Sequence, residues 1–81
     1  MNKKYIVDLT TKERADLESQ LRGGEMGVRK VKRIQILLKA DEGWIDERIA
    51  EAVGVGLSTV ERTRRKFVER GLEGAITNRR P

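Results

Sequence analysis

The sequence predicts an all-α fold, a small bundle of about four helices. Three observations predict it: apolar residues recur at helical spacing in four stretches, capping residues open three of those stretches, and glycines close all four. Neither an internal repeat nor a low-complexity tract interrupts the pattern.

Residues 1–9 read as an extended or loose N-terminal arm. In "TTKE" the Thr10 hydroxyl can accept from the backbone N–H of Glu13 while the Glu13 carboxylate reaches back, a reciprocal capping box. Leu17 and Leu21 then share one face, and Gly23-Gly24 ends a helix of residues 11–22. In the next stretch, "VRKVKRIQILLKADEG", Val31, Ile34 and Leu38 form an apolar stripe, and Arg29 and Arg33 are expected to point away from it. Ile36 and Leu37 widen the apolar surface, so this helix is expected to sit centrally and to stop near Gly43. Trp44 beside that turn is expected to plug a junction between helices.

Asp46 is read as the N-cap of a short third helix. Its apolar side holds Ile49, Ala50, Ala52 and Val53, and its polar side Glu47, Arg48 and Glu51. Gly54 breaks it, Val55 fills the turn, and Ser58 with Glu61 reads as a second capping box opening a helix of residues 58–70. At about 100° per residue, Val60, Thr63 and Phe67 face inward, while Ser58, Arg62, Arg65 and Glu69 project from the opposite side. Arg64 lies between Phe67 and Val68 on the helical wheel and is expected to snorkel over the core. After Gly71, "LEGAITNRRP" resembles a linker more than a packed element. The expected organisation is an arm at 1–9, a domain at 10–74 and a basic tail at 75–81.

Composition limits the function. Eighty-one residues with 37% apolar content permit one small domain and a thin core, which excludes a large catalytic cleft. Lys and Arg outnumber Asp and Glu by 18 to 13, for a net charge of +5, and the pI is near 10.0, which suits an anionic partner. Without cysteine or histidine, thiol chemistry, imidazole catalysis and the usual zinc sites fall away, and no metal, cofactor or small-molecule ligand is expected. The start "MNKKYIVDL" lacks the apolar run of a signal peptide, and no later stretch has the length of a membrane span. The chain therefore reads as soluble and cytoplasmic.

Two helices joined through "VGVG" cross steeply, so the second protrudes with its outer face free. Small Ala50 permits close approach, Gly54 permits a positive φ, and Val60 closes the wedge. A DNA major groove about 12 Å wide admits one α-helix, and Arg62 and Arg65 are of the type that reads guanine or clamps phosphate. Lys66, nearer the polar edge, suits a phosphate. This is a helix-turn-helix aimed at double-stranded DNA. Glu61 has two candidate roles, capping through the Ser58 N–H or accepting from a cytosine amino group, and capping is the expected one.

"ADEGWIDERIAEAVGVGLSTVERTRRKFVERGLEGAI" resembles the N-terminal DNA-binding region of bacterial insertion-sequence transposases of the mariner superfamily, and the resemblance runs from roughly Thr10 to Arg80, nearly the whole chain. That family is related to the first helix-turn-helix subdomain of paired-type proteins, so the resemblance implies a homeodomain-like, paired-like fold. Its most specific pieces are the "DEGW" entry, the "IAEAVGV" and "STV" hairpin halves, and the "RRKFVERGLEGA" exit. The resemblance implies binding to the terminal inverted repeats of a mobile element, with a homodimer joining the two ends. Arg62 and Arg65 would take the major-groove role, and Ser58 and Thr59 the phosphate contacts near the helix start. Gly56 and Leu57 stand where the family often has a polar or basic residue.

Arg79 and Arg80 resemble the minor-groove arms that accompany such hairpins. The family's acidic-triad nuclease domain has no counterpart in these residues, so as given the chain is not expected to be an enzyme. Whether it is a domain of a longer transposase or free-standing stays open. A small transcriptional regulator would use the same hairpin on the nucleoid, and an interaction module docking an acidic protein is a third reading.

Overall fold

Reciprocal hydrogen bonds start the first helix. In the computed structural model, which describes residues 5–24 and 26–76, Thr10 N donates to Glu13 Oε1 at 2.9 Å and Glu13 N donates to Thr10 Oγ1 at 3.0 Å. The expected capping box is therefore present, and it opens α1 (Thr11–Gly23). Then come α2 (Val28–Asp41), α3 (Asp46–Val53) and α4 (Leu57–Ile76), with no strand among the described residues. The fold class is all-α, as the periodicity predicts.

α2 is the central element and packs on α1, α3 and α4. That triple contact explains why its buried side chains, Ile34, Ile36, Leu37 and Ala40, cover an arc wider than one stripe. Burying Ile34, Ile36 and Leu37 stabilises the fold by about 1.5–3 kcal/mol each. Val31 and Leu38 are only half-buried. The stripe has rotated relative to the sequence expectation, and Arg33, one turn before Leu37, lies on the inner arc instead of pointing away.

The segment before α1 is extended but not loose. Val7 and Leu9 are buried while Ile6 and Asp8 are exposed, the period-two alternation of an extended chain laid on a core. Leu9 N donates to Asp41 Oδ1 at 2.9 Å, and Arg14 Nη1 donates to the other oxygen of the same carboxylate at 2.8 Å. One acid at the end of α2 thus ties down both the extended segment and α1.

Three local expectations need correction. Trp44 is 37% exposed and stands outside the core; Lys39 Nζ sits 4.3 Å from its ring centroid, a cation–π contact at the end of α2. Asp46 is the first residue inside α3, because the Ile45 carbonyl already accepts from Ile49 N at 3.0 Å. Ser58 does not cap α4, because the helix starts one residue earlier at Leu57, with the Gly56 carbonyl accepting from Val60 N at 3.4 Å. A capping residue needs non-helical backbone angles, which Ser58 inside the first turn no longer has.

The segment after Gly71, read as a linker, is packed. Gly71 interrupts the helical angles at φ 83°, ψ −176°, and the chain resumes a helical course that buries Ala75 and Ile76 in the core. This backbone region is open essentially to glycine alone and costs other residues about 1–3 kcal/mol. Gly71→Ala is accordingly expected to lose about that much stability in urea unfolding. A variant as stable as the parent would show that the bend is not fixed by the glycine.

Candidate nucleic-acid interface

The α3–α4 joint is a three-residue turn, Gly54 to Gly56. Gly54 takes the left-handed conformation at φ 80°, ψ 41°, and the N–H groups of Gly54 and Val55 both donate to the Ala50 carbonyl, at 2.9 and 3.0 Å. Ile49 and Val60 are fully buried on either side of the turn, with Ala50 and Val55 half-buried beside them. The wedge expected of Ala50, Gly54 and Val60 is in place.

Arg64 sets the joint from below. The sequence reading has it snorkelling over the core, but it is 5% exposed and all three guanidinium nitrogens are engaged. Nε donates to Asp46 Oδ1 at 2.7 Å, Nη1 to the Tyr5 carbonyl at 3.2 Å, and Nη2 to the Trp44 carbonyl at 3.1 Å. The guanidinium fork thus fastens α4 to the start of α3, to the turn before it and to the N-terminal segment. The same pair explains what Asp46 does in place of capping. Thr63, also buried, satisfies its hydroxyl by donating to the Thr59 carbonyl at 2.8 Å.

With Val60, Thr63 and Arg64 buried beneath it, α4 presents Ser58, Glu61, Arg62 and Arg65 to solvent. The Arg65 side chain is 61% exposed and pairs one turn on with Glu69, Nε to Oε2 at 3.3 Å. Glu61 makes no capping bond, since the start at Leu57 makes it the fifth residue of the helix instead of the third, too far along to reach back to the N-cap N–H. Thr59 and Lys66 are half-buried and share a flank of α4 with Arg70. Lys66 holds its proton less tightly than an ordinary lysine, first because of burial and then because Arg33, Arg70 and Arg62 surround it. Arg33 of α2 thus joins the basic flank of α4.

Sequence reasoning missed Arg33 and Arg70. Arg70 was legible as the third step of an i, i+4, i+8 ladder with Arg62 and Lys66, whereas nothing local places Arg33 there. The arginines expected to form a minor-groove arm, Arg79 and Arg80, lie outside the described residues. No helix among the described residues is long and apolar enough to cross a membrane.

A family model described as a homeodomain-like domain matches residues 28–76, which is α2 through α4 and more than half of the chain. No curated protein and no solved structure matches it.

Proposed function

We propose, from the premise that the chain belongs to the homeodomain-like domain family, a helix-turn-helix DNA-binding type, that it reads a specific double-stranded sequence with α4. The observation that carries this reading is the solvent face of α4, where Arg62 and Arg65 project from a helix held at a fixed angle by the buried Arg64. In this reading Arg62 and Arg65 enter the major groove, Ser58 and Thr59 meet phosphates near the helix start, and Lys66 meets a phosphate on the flank. Arg79 and Arg80 supply a minor-groove arm.

The resemblance of roughly residues 10–80 to insertion-sequence transposases supports terminal inverted repeats as the target, acting in the cytoplasm on the nucleoid, with two copies bringing two ends together. A small transcriptional regulator is the alternative. Selection of bound duplexes from a random pool tests the first level, and one enriched motif is expected. Mapping that motif to paired inverted repeats in the source genome would favour the transposase reading, and mapping it to promoters would favour the regulator. No enrichment, with affinity falling log-linearly in salt, would leave only non-specific attraction.

Glu61 belongs to this proposal. Released from capping and exposed, it stands one turn before Arg65, where its carboxylate can accept from a cytosine amino group. Glu61→Gln is expected to change the preferred base pair at one position of the selected motif. Its stability should stay within about 0.5 kcal/mol of the parent, as for an ordinary surface substitution. Uniformly tighter binding with the motif unaltered would make Glu61 a bystander that merely repels phosphate.

A further inference from the structure

We propose that Ile6, Trp44, Ile45 and Val68 form an apolar docking surface for a second copy of this chain, through which two copies meet side by side on DNA. The inference deepens the DNA-binding reading above, on which it rests, by naming the face that joins the copies. The four residues are 67%, 37%, 51% and 48% exposed, and they are gathered on one spot. The Arg64 guanidinium bonds the Tyr5 and Trp44 carbonyls and the Asp46 carboxylate, so the peptide units leading into Ile6 and Ile45 lie against a single side chain. Val68 stands one turn beyond Arg64, and a helical side chain leans back over the preceding turn, which brings it to the same place. Apolar exposure gathered in this way marks an interaction site, whereas single exposed residues do not.

The surface stays open when α4 enters a groove, because Val68 lies roughly a quarter-turn round the helix from Arg62 and Arg65. Ile6 lies outside the stretch that the homeodomain-like family matches, so this chain's own N-terminal segment builds part of it. Its charges select a second copy as the occupant. At a net charge of +5, two copies repel one another over most of their surface. Here Arg64 beneath the patch is neutralised by Asp46, and the rim carries both signs: Asp8, exposed two residues after Ile6 on the extended segment, and Lys39, over the Trp44 ring. A two-fold axis can therefore set apolar side chains against apolar ones and acid against base. An acidic partner would be drawn to the arginine face instead. Four partly exposed side chains fall short of the about 800 Å² per partner of a stable interface. The pair is thus weak in free solution and strengthens when neighbouring sites on one duplex hold two copies together.

The test uses the full chain and its one tryptophan, which stands in the surface. Sedimentation equilibrium without DNA, carried to millimolar concentration, is expected to show a monomer–dimer equilibrium. Trp44 emission should shift to shorter wavelength in step with it, as the ring leaves water. Ile6→Ser and Val68→Ser, both at exposed positions, should each weaken the dimer about tenfold. Neither should alter the melting temperature or the affinity for a duplex with one selected site. On duplexes with two selected sites the parent should bind cooperatively at one spacing or more, and the variants independently.

If the parent stays monomeric and fills two sites independently at every spacing, the surface does not join copies, while the recognition reading stands. A dimer that neither substitution weakens would put the interface on another face and overturn the proposal. A parent with no preferred duplex overturns the recognition reading alone, and the DNA-free dimer with its two variants then decides this one. A Trp44 shift on adding phospholipid vesicles, in a chain that stays monomeric without them, would assign the surface to a membrane and overturn the proposal.

Discussion

Replacing Arg64 by alanine is expected to destabilise the fold by about 3–5 kcal/mol, the usual consequence of removing one partner of a buried ion pair. For a chain of this length total stability is on the order of 4–12 kcal/mol, so the variant should be marginal or unfolded at 37 °C. The size of the effect follows from what is left behind. Without the guanidinium, the Asp46 carboxylate loses its countercharge, and the Tyr5 and Trp44 carbonyls lose their donors. Urea unfolding of the variant should show a lower midpoint with an unchanged slope. Asp46→Asn provides the other half of the cycle: it keeps an acceptor oxygen but leaves the Arg64 charge buried and unneutralised, so it should cost less than Arg64→Ala while still lowering the midpoint. A loss below about 1 kcal/mol for Arg64→Ala would mean the pair behaves as a surface salt bridge.

Changing both Arg62 and Arg65 to alanine is expected to abolish sequence preference while leaving the fold intact. A base-reading arginine contributes about 1–3 kcal/mol, so two together imply a loss of about 2–6 kcal/mol, roughly 30-fold to 20,000-fold in affinity for the selected duplex. The two residues are neighbours on one helix face, so their effects need not add. Arg65 must also leave Glu69 to reach a base, which offsets its contribution by about 0–1 kcal/mol, the worth of an exposed pair. Affinity for an unrelated duplex should fall much less, because the flank of Lys66 and Arg70 remains. Thermal melting should be nearly unaltered, since both side chains are exposed. Equal losses on both duplexes would demote these arginines to general charge.

The groove face was legible because it depends on one helix at a time. The angular position of Ser58, Arg62 and Arg65 opposite Val60 and Thr63 follows from the 3.6-residue repeat, and α4 is long enough for that repeat to hold. The Thr10–Glu13 capping box was legible for the same reason, since donor and acceptor lie within one turn. The second capping box failed on a shift of a single residue. "GLSTVE" permits a start at Leu57 as readily as at Ser58, and the earlier start prevailed, with the Gly56 carbonyl accepting from Val60.

The sequence by itself therefore determined the number and order of the helices, the glycine-hinged turn between α3 and α4, and the arginine-bearing outer face of α4. These are decided by hydrogen bonds and side-chain spacings within about four residues, where the backbone geometry is fixed in advance. Only the tertiary structure decided that Arg64 is buried, that Arg33 of α2 comes near Lys66 of α4, and that Val7, Leu9, Ala75 and Ile76 complete the core. The Arg64 guanidinium bonds Tyr5 across a separation of 59 residues and Trp44 across 20. Helical periodicity states the angle at which a side chain leaves its own helix. It does not state which other segment will cover that angle, and a buried charge persists only where such a segment brings its acceptors.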